Sequence, residues 1–436
     1  MSRTMSRRTR TLTLSALVPL ALVATGCGTD TSSPRATDSP DRGEPAVVVG
    51  GDAREVAAIT PRALVAHDGT LTLLDTETGE TVTTAHTDGF VRLSEAGDGR
   101  HVVVADGDKF RVFDTGIVSA QHGDHAHHHE HTPGLSPVTH DSPTAGHAVP
   151  HEGWTALFSD GTGEIEVLRT EDLTTPDAPK ERLATGAAHH GVAMILDDDA
   201  VLHTVGTAEE RHTVAVTRNG KTLARTDACP NVHGEAAAAH DRDGDVVVIG
   251  CTDGPVVLRG GEFHKVKIDE TYARTGNLAG HPESPFVLTD YKTDPDADLE
   301  RPTQVAVVDT RDASLRTVSL GNDAGDSYWF RSLGRGPDGE ALVLTYDGSI
   351  RVIDPATGRQ TGAIEAITPW TENKDWQQPG PVLEVVGDFA YVSDAAASEL
   401  VVVDLVTATV ERRLPLPSGV TELVVTDGVA PHAHAH

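Results

Sequence analysis

The chain repeats one short pattern: a run of β-branched residues, a tight turn, a second run in which apolar and polar positions alternate, and a closing Asp. The clearest copies are "HVVVADGDKFRVFDTG", "ALVLTYDGSIRVIDPATG" and "AYVSDAAASELVVVDLVTA". Alternation with period two places every second side chain on one face of a half-buried strand. The "ADG" and "YDG" turns supply the positive backbone torsions that a tight hairpin needs. Another strand precedes each hairpin, as in "FVRLSEAGDGR", and a fourth follows, as in "RQTGAIEAI". Four strands recurring at roughly 35 to 45 residues is the spacing of β-propeller blades.

Hairpin-centred units begin near residues 63, 90, 147, 190, 233, 276, 328 and 381. The pattern therefore predicts an all-β chain folded as an eight-bladed β-propeller. The third and fourth units match least well, which leaves seven blades as the alternative. The first unit lacks an innermost strand, and "SGVTELVVTDG" at residues 418–428 has that strand's pattern. The C-terminal strand is thus expected to complete the first blade and close the ring, removing an exposed sheet edge.

The flanks follow different rules. Arg3, Arg7, Arg8 and Arg10 precede the apolar run "LTLSALVPLALVATG" and then Cys27, so residues 1–26 read as a signal peptide with a lipobox and Cys27 as the lipidated residue. Residues 27–54, rich in Ser, Thr, Asp, Pro and Gly, read as a flexible tether to the outer face of the bacterial cell membrane. The propeller is expected over 55–428, with a His-rich loop at 119–146 and a tail at 429–436. Formal net charge is −31, and removal of the leader takes four arginines and no acids. A surface this acidic repels nucleic acid, and contact with the membrane is expected only through the lipid.

Two cysteines remain in the exported part, Cys229 and Cys251, 22 positions apart. Outside the cytosol a disulfide is the expected state; zinc ligation is the alternative, although neither cysteine sits in a CxxC pair.

Histidine carries the candidate chemistry. "HGDHAHHHEH", residues 122–131, holds six imidazoles and two carboxylates in ten positions, a composition that cannot form a core. His122, Asp124, His125, His127, His128, His129 and His131 are candidate metal ligands there. In an extended segment His125 and His127, or His127 and His129, share a side and can meet one ion. Imidazole with carboxylate favours zinc, with copper or nickel as alternatives.

A second set recurs in register. "GHAVPHEG", "AHHGVAMIL" and "NVHGEAAAAH" open the third, fourth and fifth units. They place His147, His190 or His189, and His233 at the starts of three successive innermost strands, where three imidazoles would converge on one metal ion. His151 is a possible auxiliary ligand, as are His432, His434 and His436 of the tail "PHAHAH". His67, His240 and His281 fall in turns after strands and read as surface residues. If "LSPVTH" is the fourth strand of the second unit, the His-rich loop projects from the end opposite this set; if "GIVSA" is, both share one end.

Together these segments resemble the AztD-type periplasmic zinc metallochaperones. The likeness is carried by "FDTG" followed by "HGDHAHHHEH", then "GHAVPHEGWTALFSDGTGE", "HHGVAM", "CPNVHGEA" and "NLAGHPESPF", and spans residues 60 to 427. It implies a β-propeller whose loop and strand-end histidines both bind zinc, a Cys229–Cys251 bridge, and delivery of zinc to the solute-binding protein of a zinc ABC importer. The lipid anchor and the His-containing tail depart from that pattern.

The expected mechanism is capture or hand-over by the loop through ligand exchange, storage at the fixed site, and release below about pH 6, where imidazole protonates. No GxSxG, HExxH or phosphate loop is present, so no enzymatic activity is expected. The rival reading is a β-propeller scaffold for protein–protein interaction at the cell surface, with an incidental His tract; a propeller hydrolase or copper reductase is a more distant one.

Overall fold

The computed structural model describes residues 52–122 and 125–430. The leader, Cys27, Asp124, His432, His434 and His436 lie outside them. Among the described residues the chain is all-β, apart from single 3-10 turns at Thr170–Asp172 and Ala324–Asp326.

Eight four-stranded antiparallel sheets follow one another along the chain, with a ninth, three-stranded sheet beside them. The middle strands of several sheets are buried on both faces, which is why they read as near-continuous runs such as "RALVAH" and "ELVVVD". The outer strand of the last sheet, Thr409–Pro415, alternates instead. Apolar clusters fill the space between consecutive sheets. One joins Leu202, Val214 and Val216 of the fourth sheet to Val247, Ile249 and Val256 of the fifth. Another joins Leu400 and Val402 of the last sheet to Ala63, Val65, Leu423 and Val425 of the first.

The first sheet takes its innermost strand from the far end of the chain. Val420–Thr426 pairs antiparallel with Arg62–His67, from Arg62 opposite Thr426 to His67 opposite Val420. The third and fourth units, the weakest as sequence patterns, each form a four-stranded sheet, Ala145–His151 through Glu181–Ala184 and Ala193–Ile195 through Lys221–Thr226.

The expected long loop is largely strand. Ile117–His122 and His125–Glu130 form a hairpin, joined along its second strand by Arg54–Val56, in which Glu55 lies opposite His129. Residue 54, assigned to the tether from composition, is thus part of a sheet. Gly134–Asp141 then returns as the fourth strand of the second sheet, pairing with Lys109–Asp114. "LSPVTH" rather than "GIVSA" fills that place. The hairpin is therefore inserted between third and fourth strands, at the end where the first strands of the sheets finish.

Candidate metal centre

Three histidines on three successive sheets meet. His147 lies in Ala145–His151, His190 just before Ala193–Ile195, and His233 just before Glu235–Ala237. One ring nitrogen of each falls within 4.8 Å of the others. The Nε2 atoms of His147 and His190 are 3.3 Å apart, and the His233 ring centre is 5.9 Å and 5.2 Å from theirs.

The surroundings fix the tautomers. Asp160 Oδ2 lies 2.6 Å from His190 Nδ1 and, as a carboxylate, can only accept, so Nδ1 carries the proton. The Gly276 carbonyl accepts from His233 Nδ1 at 2.7 Å. Both rings are left with a lone pair on Nε2, the arrangement that orients metal-bound imidazoles.

Glycine makes this approach possible at all three positions. Gly146, Gly191 and Gly234 sit beside the three histidines. A Cβ on Gly146 would strike the Asp160 carboxylate, and one on Gly191 would strike Phe158 and Thr204. Gly234 adopts φ +74, and a Cβ there would meet the Gly276 carbonyl oxygen that holds His233.

The Cys229–Cys251 disulfide clamps the segment that carries His233. Between the two cysteines, His233 N–H donates to Gly250 O and Gly250 N–H to Gly234 O, both at 3.1 Å.

Two of the three rings are held against protonation. Burial pulls His147 well below the ordinary imidazole value, and the nearby His190, His233 and Arg92 add to the shift. Burial likewise lowers His233 to about 4, against the Gly276 hydrogen bond and with help from Arg274, His190 and Arg211. Neutral imidazoles are what a divalent ion requires.

His189 is placed elsewhere. It is buried, with Nδ1 2.9 Å from the Ala187 carbonyl and Nε2 3.1 Å from Thr204 Oγ1, and its ring packs edge-on against Phe158.

On the hairpin, His125 and His127 bring their Nε2 atoms to 3.2 Å, and His127 Nδ1 lies 2.8 Å from Glu55 Oε1. His128 and His129 face Ser119 and Val118 across the hairpin. His131 is drawn into its base, 2.9 Å from Asp114 Oδ2 and 2.8 Å from Arg100, so its Nε2 already has a partner. His122 ends the first hairpin strand.

A second group comes from the opposite ends of the same strands: His151, Asp197, His240 and Asp245. His240, expected at the surface, is largely enclosed there, although the tip of its turn, Arg242 and Asp243, is exposed. Sequence reasoning also missed Asp160, whose "SDG" setting reads as an ordinary turn.

No protein-family model matches the chain. The zinc chaperone AztD of Citrobacter koseri is 25% identical over 345 residues, 76% of this chain and 78% of that protein. An apo structure of Citrobacter koseri AztD superposes with TM-score 0.71 at 20% identity, covering 84% of this chain and 98% of the other. This chain is similar to AztD in sequence and in fold. A second AztD crystal structure from that organism gives TM-score 0.70 at 21% identity, over 87% of this chain and 100% of its own. The likeness in fold thus extends over nearly all of the solved AztD chains.

Proposed function

We propose that the chain is an extracytoplasmic zinc metallochaperone that holds zinc as cargo between His147, His190 and His233. The observation that carries this reading is the convergence of three imidazoles from separate sheets, two with Nδ1 already engaged and Nε2 turned inward. The AztD likeness supports zinc over copper or nickel. An exchangeable cargo fits a site of three protein ligands, since a fourth position stays open for an incoming donor.

The scaffold is an eight-bladed β-propeller closed by Val420–Thr426, supported by eight successive four-stranded sheets and by an apolar layer between the last and the first. Its role is binding and transfer, not turnover. The receiver is the solute-binding protein of a zinc ABC importer, reached by ligand exchange from a chain exported and lipid-anchored through Cys27 at the outer face of the membrane.

The test is direct transfer. Zinc-loaded protein is mixed with an apo solute-binding protein in the presence of a competing chelator. Faster loading of the receiver than the chelator permits from free zinc is the expected result. Equal rates would contradict transfer, and failure to bind zinc at all would favour the scaffold reading.

A further inference from the structure

We propose that Arg92, Arg211 and Arg274 form an anion cradle around the three-histidine centre, so that the open fourth position of a bound metal ion is filled by a carboxylate. Each histidine has one of these cations beside it. Arg211 Nη1 donates to the His190 carbonyl at 3.1 Å. The Arg274 guanidinium lies against Gly276, whose carbonyl holds His233; a Cβ on that glycine would come within 2.9 Å of Arg274 Nε and 3.1 Å of its Nη2. Arg92 opens Arg92–Glu95, and its charge reaches His147.

Strand direction brings all three to the histidine end of the sheets. Along an antiparallel sheet, first and third strands start where second strands finish. Arg92 is the first residue of an innermost strand, and Arg211 the first of a third strand, Arg211–Arg218. Arg274 pairs through its backbone with Lys292, just past the end of a second strand, Phe286–Asp290.

These cations are not spent on acids. Arg211 and Arg274 are half-buried, and among the described residues neither has a carboxylate within 4.0 Å. Burial and the neighbouring Arg274 hold the Arg211 guanidinium below its ordinary value, with Asp160 opposing. Asp160 is engaged by His190 Nδ1, and Asp290 by the Gly276 and Asn277 N–H groups and the Asn277 amide. Arg92 faces Glu422 at 3.7 Å, but Glu422 is bound by Arg331, and the buried Arg92 Nε has no hydrogen-bond partner.

The consequence is electrostatic. Metal-bound imidazoles are neutral and give a divalent ion no compensating charge, so guanidiniums nearby raise the cost of holding it. An anionic donor at the fourth position is attracted by the metal and the arginines together, whereas a water molecule is not. A carboxylate fits best, because a guanidinium offers it paired N–H groups and one of its oxygens remains for the metal. In a chain of formal net charge −31, a basic pocket at this centre admits anions that the surrounding surface repels. The carboxylate is either a small free ion or an Asp or Glu of the receiving protein. Its role as a metal ligand rests on the zinc reading above, whereas the cradle itself does not.

Acetate is the probe. Zinc affinity of the full chain is measured by chelator competition with and without acetate, at fixed ionic strength. Saturating acetate should tighten zinc binding by about 10-fold, the size of one charge-assisted hydrogen bond. In Arg274→Gln the gain should fall below about 3-fold, and zinc without acetate should be held more tightly than by the wild type, the opposite of what loss of a merely structural residue produces. Equal affinity with and without acetate overturns the proposal. Crystals of metal-free protein soaked in bromide should give an anomalous peak against Arg211 and Arg274, and its absence overturns the cradle. That peak in a protein that binds no zinc upholds the cradle and instead removes the proposed cargo centre. Acetate that slows zinc transfer to an apo solute-binding protein assigns the carboxylate to the receiver; unchanged transfer assigns it to a free ion.

Discussion

The three-histidine centre and the histidine hairpin use the same side chain under opposite constraints. At the centre each ring comes from a different sheet, is seated beside a glycine, and in two cases has its far nitrogen bonded to Asp160 or Gly276. On the hairpin, His125, His127 and His129 share one face of a single strand, and His127 pairs with Glu55, which is itself 63% exposed. The difference teaches that density of imidazole is not what makes a holding site. Support of the rings from separate rigid elements removes the ordering cost, roughly 1 to 2 kcal/mol per residue, that a single surface segment meets when it wraps an ion.

The comparison is broken most readily by paired substitutions. His190→Ala with His233→Ala should weaken the tightest zinc site by more than about 100-fold, whereas His125→Ala with His127→Ala should change that site by less than about 3-fold, read by chelator competition. Equal losses would erase the distinction. Asp160→Asn, which leaves all three rings in place, should weaken the same site by about 10- to 100-fold.

A pH titration sharpens the contrast further. His233 falls from 6.5 to about 4 on folding, and His147 is shifted in the same direction. The unfolded chain therefore binds more protons across that window, so the stability these residues contribute is present above about pH 6.5 and lost as pH falls toward 4. Protons compete with zinc over the same range. Release from the centre is expected at lower pH than from the exposed hairpin histidines, with zinc retention after dialysis as the readout.

The smallest effect is mechanical. Cys229→Ser with Cys251→Ser removes a bridge closing 22 residues and should lower stability by about 3 kcal/mol in denaturant unfolding, with a modest loss of zinc affinity through His233.

The sheets were legible in the chain because period-two alternation and Asp-Gly turns encode a hairpin locally. The pairing of Val420–Thr426 with Arg62–His67 was also legible, because one unit lacked a strand and the C-terminus had a spare one. The hairpin at 117–130 was hidden: a run of histidines has no apolar alternation, and its partner strand Arg54–Val56 lies more than sixty residues away in a polar segment. His147, His190 and His233 announced themselves by recurring at one place in three units. The choice between His189 and His190 needed the fold, since adjacent residues point to different sides. His240, Asp197 and Asp245 gave no signal, because the enclosed residues flanking an Asp-rich turn look the same in sequence as its exposed tip.

The most direct measurement is zinc-edge X-ray absorption of the full chain loaded with one equivalent of zinc. The account predicts a shell with three imidazole nitrogens at about 2.0 to 2.1 Å that is lost in His190→Ala/His233→Ala. A shell with fewer imidazoles, or one unchanged in that variant, would contradict it.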